Sequence, residues 1–79
     1  MNDAHVLKLF GEKLHSARLL KGWSQEKLAF EADLDRTYVS SVERGRRNIS
    51  IINIYKLACA LEVPPHSLLT KNGGSDEQN

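Results

Sequence analysis

The sequence predicts an all-α domain of five short helices joined by tight turns, with no strand pattern anywhere. Three observations carry this. Apolar residues recur at three- and four-residue steps, the period of an amphipathic helix. Asn, Ser or Asp stands ahead of the first four runs, where a side-chain oxygen takes a free helical N–H. Gly follows the first and third runs and a proline pair follows the fourth, each a stop signal.

The first run places Val6, Phe10, Leu14, Ala17 and Leu20 on one face, capped by Asn2 or Asp3 and ended at Lys21-Gly22. Ser24 caps a second helix from Gln25 to Glu31 or Ala32, with Leu28 and Ala29 facing inward. Asp35 caps a third helix running to about Arg44, with Val39 and Val42 inward and Gly45 as its stop. After a loop through Arg46-Arg47-Asn48-Ile49, Ser50 caps a fourth helix, Ile51 to Leu61. Its apolar surface covers more than half its circumference, too wide for a helix with one face in water. Pro64-Pro65 closes that run and opens a last short helix, with Pro65 in its first turn and Ser67 to Leu69 inside it. Residues 1–71 therefore read as one domain and 72–79 as a disordered polar tail of Gly, Ser, Asp, Glu, Gln and Asn.

At 79 residues the chain has room for one domain. A domain of this size buries only about 60% of its unfolded surface, so stability needs tight packing or oligomerisation. Disulfides cannot help, because Cys59 is the only cysteine; inside an apolar run it reads as a small buried hydrophobe. No apolar stretch approaches the roughly 20 residues of a spanning helix, and no basic-then-apolar leader opens the chain. A cytoplasmic protein without a membrane partner is the expectation. Catalysis finds no support: His5, His15 and His66 lack metal-ligand spacing, and there is no phosphate-cradling glycine loop or Ser/His/Asp arrangement. We expect no enzyme and no cofactor. The net charge of +1 says little, but its distribution says more. Positive charge gathers in the middle of the chain, where Arg36, Arg44, Arg46 and Arg47 fall close together.

Residues 24–44 form the informative unit: a short helix, a tight turn and a second helix. Two such helices crossing steeply can bury Leu28, Ala29, Leu34, Val39 and Val42 between them, and the small Ala29 permits the close approach. The N-terminal half of the second helix then protrudes, with a shape that fits the major groove of DNA. Its outer face carries Arg36, Thr37, Ser40 and Ser41, with Tyr38 alongside. Arginine can hold guanine O6 and N7 with two parallel hydrogen bonds, and threonine or tyrosine can bond bases or touch a thymine methyl. By themselves these side chains also suit an ordinary solvated face.

The string Gly22-Trp23-Ser24-Gln25-Glu26-Lys27-Leu28-Ala29, then Val42-Glu43-Arg44-Gly45 and Leu57-Ala58-Cys59-Ala60-Leu61, resembles the Xre/Cro-repressor helix-turn-helix family over roughly residues 7–69. Within it, Leu34 to Arg44 with Arg47-Asn48 is most similar to the controller proteins of restriction–modification systems. The resemblance implies a compact, lambda-repressor-like domain that regulates transcription by binding a (pseudo)palindromic operator as a dimer. It implies base contacts for Arg36, Thr37, Tyr38, Ser41 and Arg47, and phosphate contacts for Gln25, Ser40, Arg44 and Asn48, with Gln25 also bracing the recognition helix. Arg18 and Glu43 match an internal ion pair tying the first helix to the end of the recognition helix. Trp23 stands where the family more often has Leu or Met, and is expected to pack as a core or staple residue. Double-stranded operator DNA is the expected partner, with RNA polymerase a further candidate. An antitoxin-like protein-interaction module and a phage-type repressor are the competing readings.

One recognition helix makes few base contacts, and regulators commonly pair two over half-sites about 34 Å apart. The wide apolar girth after Ser50 offers a pairing surface, with Ile51, Ile52, Tyr55, Val63 and Leu68 as its expected contacts. The other destination for the same side chains is one small core.

Overall fold

A computed structural model describes residues 2–70. The chain forms α1 (Asp3–Leu20), α2 (Gln25–Ala32), α3 (Arg36–Glu43) and α4 (Ile51–Leu61), and closes with a 3-10 turn, Pro65–Leu68. The fifth helix expected from the sequence is thus this single 3-10 turn, and the described residues hold four α-helices. The turn closes on bonds three residues apart, Ser67 N–H to Pro64 O and Leu69 N–H to His66 O, both at 3.0 Å, and four residues are too few for an α-helical ladder. The expected tail, 72–79, lies outside the described residues.

Each α-helix begins on a side-chain cap. Asn2 Oδ1 accepts from the His5 N–H at 2.7 Å, and Ser24 Oγ accepts from that of Lys27 at 3.0 Å. Asp35 Oδ2 accepts from Thr37 at 3.1 Å, and Ser50 Oγ from Asn53 at 3.2 Å. All four helices close on a left-handed residue, at Gly22, Asp33, Gly45 and Glu62. The next N–H in each case reaches back to the last turn: Trp23 to Arg18 O, Leu34 to Ala29 O, Arg46 to Ser41 O and Val63 to Ala58 O. These closures make turns short enough to hold α2 against α3.

One core joins the helices: Phe10 and Leu14 from α1, Leu28, Ala29 and Ala32 from α2, Val39 and Val42 from α3, Leu57, Ala58 and Leu61 from α4, and Leu68. Burying Leu14, Leu28, Val39 and Leu57 completely contributes about 1.5–3 kcal/mol each. Several sequence expectations need correction. Val6 and Leu20 are exposed, because the buried stripe of α1 runs Phe10, Gly11, Leu14, Arg18 and ends in a charged side chain. Leu68 is 1% exposed and completes the core, so it is no interface residue. Val63 is partly buried against the same core. Cys59 is exposed, since α4 turns Leu57, Ala58 and Leu61 inward and leaves it on the outer side.

Gly11 has a specific packing role. A Cβ there would lie 2.5 Å from Glu43 O and 2.6 Å from Val42 O, so α1 touches the backbone at the end of α3. Gly45, at φ +72°, repeats this contact: its Cβ would stand 2.9 Å from Lys8 Cα. Two missing side chains therefore fix where α3 ends relative to α1.

Candidate nucleic-acid interface

Helix α3 is strongly two-sided. Val39 and Val42 enter the core, while Arg36 and Thr37 are exposed and Ser40 and Ser41 are half-buried. Residues 36, 37, 40, 41 and 44 share the outer face by helical period. Arg44 Nη1 donates to Ser40 Oγ at 3.1 Å, which aligns two polar groups along that face. Arg44, Arg46, Arg47 and Asn48 are all exposed at the end of α3 and in the loop beyond it. Asn48 bonds its own neighbour, Oδ1 accepting from the Ile49 N–H at 3.0 Å.

Tyr38 is held more firmly than the sequence suggests. Its ring packs against the core, its hydroxyl accepts from Asn53 Nδ2 at 3.0 Å, and the Arg47 guanidinium lies 5.0 Å from the ring centre. The loop arginine and α3 thus meet through an aromatic face. Asn53 was not singled out from the sequence, because its partner lies fifteen residues away on another helix. Trp23 packs against the core, as a staple would, with Lys21 Nζ 4.8 Å and Lys27 Nζ 5.7 Å from its ring centre.

Behind the outer face, a polar node locks α1, α2 and α3 together. Arg18 Nε donates to Glu43 Oε2 at 2.7 Å and Arg18 Nη2 to Glu43 Oε1 at 3.0 Å, a two-pronged pair. The third nitrogen, Nη1, donates to the Trp23 carbonyl at 2.7 Å. Gln25 Nε2 donates to Glu43 Oε1 at 3.0 Å, so the first residue of α2 grips the last residue of α3. His15 Nδ1 lies 3.1 Å from Glu43 Oε1 and 3.0 Å from Arg18 Nη2; in the tautomer with a hydrogen on Nδ1 it donates to the carboxylate, in the other it accepts from the guanidinium. The Arg18 and Glu43 side chains are only 9% and 4% exposed. Burial alone would push the Glu43 carboxyl up, but the hydrogen bonds from Arg18, Gln25 and His15, with the charge of Arg18, hold it below the ordinary glutamate range.

On α4, facing away from the core, Ile51, Ile52 and Tyr55 are 68%, 67% and 59% exposed. They line an open groove with Cys59 and Ala60, bordered by the C-terminal end of α2. Among the described residues, no helix is long and apolar enough to cross a membrane.

A helix-turn-helix family model matches residues 14–68. Among curated proteins, the chain is 58% identical over 66 residues to the control protein C.BamHI of Bacillus amyloliquefaciens, covering 82% of each chain. Among solved structures, it is similar to the restriction–modification controller protein C.AhdI of Aeromonas hydrophila, with a TM-score of 0.78 and 55% identity over 78% of this chain and 94% of that one. The controller protein C.Esp1396I, solved as a tetramer with its natural 35 base-pair operator, gives a TM-score of 0.74 at 36% identity over 80% of this chain and 83% of that one.

Proposed function

Because this chain belongs to the helix-turn-helix family, in the branch of the restriction–modification controller proteins, we propose that it is a sequence-specific regulator of transcription that reads operator DNA with α3. One observation carries this reading. The outer face of α3 presents Arg36, Thr37, Ser40 and Ser41, while the buried Arg18–Glu43 pair, joined by the half-buried Gln25, fixes the helix from behind. A helix so braced has little conformational freedom left to lose on entering the major groove, which lowers the entropic cost of recognition. Arg36, Thr37, Tyr38, Ser41 and Arg47 are assigned to base edges. Gln25, Ser40, Arg44 and Asn48 are assigned to phosphates.

The working unit is a two-fold dimer. The exposed Ile51, Ile52 and Tyr55 form the kind of contiguous apolar patch that marks an interface, and a two-fold axis covers the same patch on both chains. This pairing sets two α3 helices on one side of the duplex, a helical turn apart. C.Esp1396I meets its 35 base-pair operator as a tetramer, which supports two such dimers side by side for this chain. The genes served are those of a restriction–modification system, with RNA polymerase as the machinery acted upon and the cytoplasm as the place of action.

The test is Arg36→Ala, measured on a duplex enriched by the protein from a random library and on unselected duplex. Base readout requires a loss of about 1–3 kcal/mol on the enriched duplex and much less on the other. Equal losses on both reduce Arg36 to a phosphate neutraliser.

A further inference from the structure

We propose that Asn53, on α4, is a positioning residue that fixes the Tyr38 hydroxyl as a hydrogen-bond donor and so sets which base edges this tyrosine accepts. The inference rests on the DNA-reading role of α3 proposed above. A phenol oxygen that accepts a hydrogen bond still has its own hydrogen to give. Asn53 Nδ2 donates to Tyr38 Oη at 3.0 Å, so the acceptor side of the hydroxyl is occupied from within the protein. The hydrogen that remains suits acceptors: guanine N7 and O6, adenine N7, thymine O4, or a phosphate oxygen. It does not suit the amino groups of cytosine and adenine, which need an acceptor.

Three features make this arrangement firm. Asn53 sits in the first turn of α4, its own N–H held by Ser50 Oγ, so its side chain projects from an ordered helix end. The Tyr38 ring packs on the core. The Arg47 guanidinium covers the ring at 5.0 Å, so a tilt of the ring carries the arginine with it. Asn53 therefore acts on Tyr38 directly and on Arg47 through the ring. It also follows Ile51 and Ile52, which belong to the proposed pairing surface, so the same short stretch of α4 serves both pairing and base selection.

The experiment is a double-mutant cycle on the full chain. Wild type, Asn53→Ala, Tyr38→Phe and the double variant are titrated against a duplex enriched from a random library by wild type, and against its single-base variants. Each single variant is expected to weaken binding about three- to thirty-fold, while adding Asn53→Ala to Tyr38→Phe changes it less than twofold. Asn53→Asp is the second probe. Aspartate is favoured in a first helical turn, so the fold is retained; its carboxylate takes the hydroxyl hydrogen and turns Tyr38 into an acceptor. The preferred base at the position Tyr38 reaches should then shift from guanine or thymine toward cytosine or adenine, whose amino groups need an acceptor. Equal losses from Asn53→Ala with and without the Tyr38 hydroxyl, or an unchanged base preference in Asn53→Asp, overturn the proposal. So does a silent Tyr38→Phe, although operator reading by α3 then stands. If wild type enriches no duplex at all, both readings fall together.

Discussion

Glu43→Gln tests how the recognition helix is held. The substitution keeps the shape of the side chain and removes its charge. The carboxylate is 4% exposed, takes two hydrogen bonds from Arg18 and one from Gln25, and faces a guanidinium that is itself 9% exposed. An amide leaves the Arg18 charge buried without its counterion and points an NH2 group at donors. Breaking a buried pair in this way costs about 3–5 kcal/mol. For a domain of this size each kcal/mol lowers Tm by about 4–8 °C, so a drop of at least about 12 °C is expected in thermal melts followed by circular dichroism. Protein concentration must be held constant, because a pairing equilibrium shifts Tm by mass action. The pH dependence gives a second readout. The folded-state pKa of Glu43 is lowered; its contribution is therefore complete above the unfolded-state value, about 4.3, and is lost as pH falls through the lower folded value. Glu43→Gln should flatten that acid limb. A loss below about 1 kcal/mol, the range of exposed pairs, with an unaltered acid limb, would refute the argument from burial.

Gly11→Ala should destabilise the fold by about 1–3 kcal/mol, because its Cβ meets the carbonyls of Val42 and Glu43 within contact distance; chemical denaturation measures this directly. Ile52→Glu places a charge in the apolar groove of α4 and should yield a monomer in sedimentation at micromolar concentration. Cys59, in the same groove, should react faster with a thiol reagent in that variant than in wild type. Arg44→Ala should weaken binding to all duplexes alike and reduce the slope of log affinity against log salt by about 0.9, the loss of one phosphate contact.

The helix framework was legible because its signals are local. Asn2, Ser24, Asp35 and Ser50 each cap the helix expected from their position, and α2 and α4 have the expected limits. What failed depended on the facing surface. Val6 and Leu20 fit the helical period of α1, but no partner helix lies over them, and the inward stripe ends instead at Arg18. Cys59 lies in an apolar run yet faces outward, since composition does not reveal which third of α4 meets the core. The excess apolar width of α4 was read correctly as a surplus, but Leu68 was placed on the wrong side of it. At the candidate interface, the outer face of α3 followed from period alone. The Arg18–Glu43 pairing came from resemblance, since residues 25 apart carry no mutual signal. Gly11 offered a usable hint, an isolated glycine inside a helical pattern. Asn53 offered none.

The glycine contacts between α1 and α3 divide the labour of this small domain. The setting of α3 in the domain is fixed by main-chain atoms at Gly11 and Gly45 and by the Arg18–Glu43–Gln25 node. Positions 36, 37, 40 and 41 belong to neither set. The surface proposed to read DNA is separate from the scaffold that aims it, so those four positions can be rewritten without disturbing the mount. A library randomised there should retain folded members at a high rate and explore operator preference almost independently of stability. Tyr38 is the exception: tied to both the core and Asn53, it cannot be exchanged without adjusting α4 as well.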